Sequence, residues 1–158
     1  MTNPFIPYSD AYLGWQYWGA AKAIREAASG EERFHLVMFD CYGTAIEKFI
    51  RAIGTELVAT FSFYCHDRNL CGMAHVLNIT GMDAHRDVLS VYTEYFRVQR
   101  EHSVTPMEIA EAIQSLSDRD LLDATELILE FLVSHITHNR PSLLLAGKAK
   151  GVQTMELR

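Results

Sequence analysis

The stretch from Phe34 to Ile53 is apolar on nearly every side when wound as a helix. Phe34, Met38, Cys41, Ala45, Phe49 and Ala52 share one face, and Leu36, Phe39, Tyr42, Ile46 and Ile50 cover much of another. A helix without a polar face has no side to turn to water, so other elements must surround it. The spacing predicts a central helix that breaks at Gly54.

The flanking sequence supplies helices to surround it. Residues 1–8 read as an extended lead with Pro4 and Pro7, and Ser9 is a good N-cap with Asp10 in the first turn. Ala11–Ala28 favours helix, with Leu13, Tyr17, Ala20, Ile24 and Ala28 as its inward stripe. Ser29 with Glu32 has capping-box spacing, as does Thr80 with Asp83. Residues 57–80 favour helix, the alternative being a β-hairpin turning at His66–Asn69. Val88, Leu89, Tyr92, Tyr95 and Phe96 mark a helix reaching Glu101. Thr105-Pro106-Met107-Glu108 starts a short one. Ser117 caps the last, lined by Leu121, Ala124, Leu127, Ile128, Phe131, Leu132 and His135 and stopped at Asn139-Arg140-Pro141. A partly ordered tail, 142–158, carries the sticky piece Leu143-Leu144-Leu145. The expected fold is an all-α bundle of five to seven helices in one domain spanning residues 1–158.

Charge and composition narrow the function classes. Asp plus Glu is 20 and Lys plus Arg is 14, a formal charge of −6 with the arginines scattered singly. Such a surface repels phosphate, so no nucleic acid is expected as partner. Glu108–Leu127 has the outline of a helix–turn–helix, but the second helix would present Asp118, Asp120, Asp123 and Glu126 to phosphates. No run of apolar residues is long enough for a membrane span, and no basic leader precedes an apolar stretch. Three cysteines do not make a disulfide scaffold, and reduced thiols fit a cytoplasmic location.

Three constellations could carry chemistry. Val37-Met38-Phe39-Asp40-Cys41-Tyr42-Gly43-Thr44 resembles the first motif of haloacid-dehalogenase-type hydrolases. That resemblance implies a strand at Leu36–Phe39 delivering Asp40 as nucleophile. It covers eight residues; Thr80 could be the Ser or Thr after a second apolar strand, but no lysine follows it until Lys148 and no paired-aspartate motif completes the pattern. Cys71 and His75, four apart, share a helix face; with Cys65 they offer three candidate zinc ligands, and His66 or Cys41 could be the fourth. His35, His66, His85 and His135 fall on four different helices, as metal- or haem-binding bundles arrange their ligands. Phe131–Ile136 and the His66–His85 spacing faintly resemble hemerythrin, but Leu70, Leu89 and Arg140 stand where its further ligands would be. No cofactor and no catalytic residue are assigned.

The remaining signal is aromatic. Tyr8, Tyr12, Trp15, Tyr17 and Trp18 fall within eleven residues and on more than one side of the first helix. Tyr and Trp are enriched at interfaces. The expectation is therefore a non-enzymatic interaction or regulatory protein. Tyr12, Trp15, Tyr17 and Trp18 would bind a protein partner or a second copy of the chain.

Overall fold

The computed structural model describes residues 2–27, 34–54, 59–101 and 119–145. Among them are six α-helices: α1 (Asp10–Ala27), α2 (His35–Ile53), α3 (Ala59–His66), α4 (Leu70–Leu77), α5 (Arg86–Arg100) and α6 (Arg119–Asn139). Short 3-10 turns at Met82–His85 and Pro141–Leu143 precede α5 and follow α6. The fold is all-α, and among the described residues there is no β-strand. None of the described helices is long and apolar enough to cross a membrane.

Helix α2 is the axis. Met38, Phe39, Tyr42, Ala45, Ile46, Phe49, Ile50 and Ala52 are all buried, as its pattern requires. Glu47 is buried with them, at 4% exposure. A buried carboxylate is costly unless paired. Arg51 Nε donates to it at 3.1 Å and Arg68 Nε at 2.9 Å. Arg68 also donates to Thr44 Oγ1 at 2.8 Å, and its guanidinium lies 3.6 Å from the centre of the Phe96 ring. Arg68 stands in the turn between α3 and α4 with φ +54°. So the residues read as a possible hairpin turn do reverse the chain, but between two helices. Asn69 then caps α4, its side chain accepting from Gly72 N at 2.9 Å.

Two helices come close to α2 through glycine. A Cβ at Gly14 of α1 would stand 2.8 Å from the Phe49 ring, and one at Gly43 of α2 2.6 Å from Phe96 of α5. The stripe expected on α1 is accordingly rotated. Ala11, Gly14 and Ala21 are buried, whereas Tyr17 is 38% exposed and Ala20 is exposed. Small residues mark the closest approach, and a pattern weighted by apolar size overlooks them. On α6 the core face is Leu122, Thr125, Ile128, Leu129, Leu132 and Ile136, and Leu127 is 60% exposed. Thr125 is fully buried because Tyr92 holds its hydroxyl at 3.0 Å while it donates to Leu121 O at 2.8 Å.

Helix α5 starts later than the Thr80–Asp83 spacing implies. Gly81 sits at φ +91°, a 3-10 turn follows, and Asp83 accepts from Arg86 at 2.8 Å instead of capping. The lead and the start of the tail hold each other. Ile6 N donates to Leu143 O at 2.8 Å and Leu145 N to Pro4 O at 3.0 Å, around an isolated antiparallel bridge between Phe5 and Leu144. Both bridge residues are buried. The helix expected at Thr105–Leu116, the Ser117 cap and residues 146–158 lie outside the described residues.

The two helical glycines of α1 separate packing from exposure. A Cβ at Gly19 would meet nothing within 4 Å. In chemical denaturation, Gly14→Ala is expected to lower stability by about 1–3 kcal/mol through overpacking against Phe49. Gly19→Ala is expected to raise it by about 0.5–1 kcal/mol through helix propensity.

Candidate functional site: a groove between the first and last helices

Helices α1 and α6 both rest on α2, and between them lies an open groove of about 730 Å³. Its α1 wall is Trp15, Trp18, Gly19, Lys22, Ala23 and Glu26. That spacing (i, i+3, i+4, i+7, i+8, i+11) puts all six on one face of a helix. The α6 wall repeats the pattern with Glu130, Val133, Ser134, Thr137 and His138.

One carboxylate fixes the geometry. Glu126 of α6 accepts from Trp18 Nε1 at 3.0 Å and from the Tyr42 hydroxyl of α2 at 2.6 Å. It thus joins three helices and sets the orientation of the Trp18 ring. Burial, and then the hydrogen bond to Glu126, push the Tyr42 phenol well above its ordinary range, so it remains a donor. Arg25 and Asp123 pair at 2.7 Å beside it. The Trp15 and Trp18 rings meet edge to face, 5.8 Å apart at 75°. Trp15 packs against Phe5 and Trp18 against Phe49. Both indoles stay half-buried, each with part of its surface in the groove.

Thr137 is 8% exposed, and its hydroxyl has no hydrogen-bond partner among the described residues. Buried polar atoms are rarely left this way. Gly19 is unusual as well. Mid-helix glycine lowers stability, and here no neighbouring side chain occupies the space it leaves.

Of the four residues expected to bind a partner, the groove gathers Trp15 and Trp18. Tyr12 is half-buried further along α1, 5.9 Å from the Tyr8 ring, and its carbonyl accepts from Asn3. Tyr17 is exposed and does not line the groove. Lys22, Glu26 and the α6 wall escaped the sequence reading, although an isolated glycine amid helix formers was a usable signal for Gly19.

The other candidate sites are dispersed. Cys71 and His75 line one depression beside α4, where Cys71 Sγ lies 3.6 Å from Ser90 Oγ. His66 lines a different one, with Asp10 and Arg51. The His85 ring lies against Phe131, tilted by 41° with 5.0 Å between ring centres. Among the described residues no group of three or more His, Cys, Asp or Glu could hold a metal ion. Burial pushes the Cys41 and Cys65 thiols up, away from the reactive thiolate form. Asp40 lies within α2, and Leu36–Phe39 is helix rather than the strand the hydrolase resemblance implies. Comparison with protein-family models, with curated proteins and with solved structures finds no match to the chain.

Two outcomes follow from these contacts. Glu126→Ala removes the acceptor of two hydrogen bonds to a charged group and strands the Tyr42 hydroxyl. It is expected to cost about 2–4 kcal/mol in denaturant unfolding. Burial also holds His85 and His135, either side of Phe131, below the ordinary imidazole range. Their contribution to stability is present above the unfolded-state value of about 6.5 and is lost as pH falls through the lowered folded values. The urea midpoint is therefore expected to be lower at acid than at neutral pH, by a smaller margin in the His85→Gln/His135→Gln variant.

Proposed function

We propose that the chain is a non-catalytic binding protein whose α1–α6 groove seats a helix of a protein partner. The observation that carries this reading is the exposed backbone at Gly19, beside Trp18 and one helical turn on from Trp15, in a groove that both half-buried indoles line. A glycine there lets an incoming helix approach α1 closely. The indoles supply large apolar area at little entropic cost, the character of interface anchors.

Dimensions and charge favour such an occupant. From Trp15 to Glu26 the groove runs about 16 Å, three helical turns. Amphipathic helices dock in grooves of this kind through side chains at i, i+3, i+4 and i+7. The chain is acidic overall, at −6, which steers cationic partners towards it.

Selection of displayed helical peptides against the immobilised protein tests the reading. The expected result is enrichment of peptides with apolar residues at helical spacing, whose binding is lost with Gly19→Phe. That variant fills the groove from an open position and leaves the core intact. Selected peptides that bind Gly19→Phe as well as wild type would contradict the proposal. So would sedimentation showing a stable dimer in which the tryptophans are already covered.

A further inference from the structure

We infer that the groove recognises an alkylammonium group, a lysine side chain of the partner helix, seated against the Trp15 and Trp18 indoles. This rests on the docking reading above and adds the chemistry of the contact.

The two rings stand at 75° to each other and form two walls of a corner. Ring faces attract cations, most strongly for Trp. Trp18 already carries one, since Lys22 Nζ lies 5.2 Å from its ring centre. The protein's own ammonium thus occupies one face of the site. Glu26 and Glu130 line the same groove, and neither has an ion-pair partner among the described residues. Two unpaired carboxylates against one ammonium leave the groove with negative charge to spare. His138 Nδ1 lies 2.8 Å from Ser134 O. Thr137 and His138 also belong to the last turn of α6, whose free carbonyls carry partial negative charge.

A carboxylate in the groove would meet Glu26 and Glu130. Lysine offers an apolar stem for the indoles and a charged head for the acids.

The chain's two tryptophans both line the groove, so their indole N–H signals in proton–nitrogen correlation spectra report on this site. The probe is Nα-acetyl-lysine methylamide, with its Nε-acetylated, uncharged counterpart as control. The charged probe is expected to shift both signals saturably, and the neutral one not to at the same concentrations. Glu26→Gln/Glu130→Gln is expected to weaken binding at least fivefold. Lys22→Gln, which frees the Trp18 face, is expected to tighten it at least threefold. Equal shifts by both probes, or no saturable shift even in Lys22→Gln, would overturn the inference. If peptides selected through the groove bind equally well after acetylation of their lysines, docking stands and the ammonium reading falls. If selected peptides ignore Gly19→Phe, docking itself falls, and this inference with it.

Discussion

Helix α2 is buried over most of its surface, with Val37 exposed and Asp40, Cys41, Lys48 and Arg51 partly so, and the other described helices pack around it. Glycine against aromatic ring sets the distance on two sides, at Gly14 with Phe49 and Gly43 with Phe96. Ring stacking of Phe39 on Tyr92, 5.1 Å apart, joins α5. Arg51 reaches Cys65 O of α3 at 3.3 Å, and Tyr42 reaches Glu126 of α6. The polar atoms buried along α2 are therefore also its connectors. Glu47 and Tyr42 each satisfy a desolvated group and tie down a neighbour in the same bond.

The groove is a by-product of that geometry. Helix α1 is drawn tightly onto α2 at Gly14, and α6 packs on the same helix, tied to it by the Tyr42–Glu126 hydrogen bond. Two cylinders resting on a third leave a furrow between them. Elsewhere such furrows are filled by large side chains. Here Gly19, Ala23 and Ser134 leave the furrow open, and Glu126 holds Trp18 at its edge. Core packing and the groove are thus linked through one carboxylate.

Much of this was legible in the residues, and the exceptions have physical causes. The nearly all-round apolar pattern of Phe34–Ile53 favoured a surrounded helix, and the stripe Val88–Phe96 is buried as its spacing requires. The phases of α1 and α6 were misread for opposite reasons. On α1 the core face is built from small residues that hydrophobic patterning discounts. On α6 a threonine occupies a core position because Tyr92, distant in sequence, supplies its partner. The aromatic cluster of the first helix is gathered by the groove only in part. Its division into Trp15 and Trp18 in the groove and Tyr12 and Tyr17 outside depends on where α6 lies, which no local pattern encodes.

The account turns on the groove being open in the free protein, with both indoles reachable from solvent. Acrylamide quenching of tryptophan emission measures this directly. The account predicts efficient quenching of the wild type, little changed by dilution, and marked protection in Gly19→Phe. Emission from the free wild-type chain that is shielded and unaffected by Gly19→Phe would contradict it, because the furrow would then already be closed.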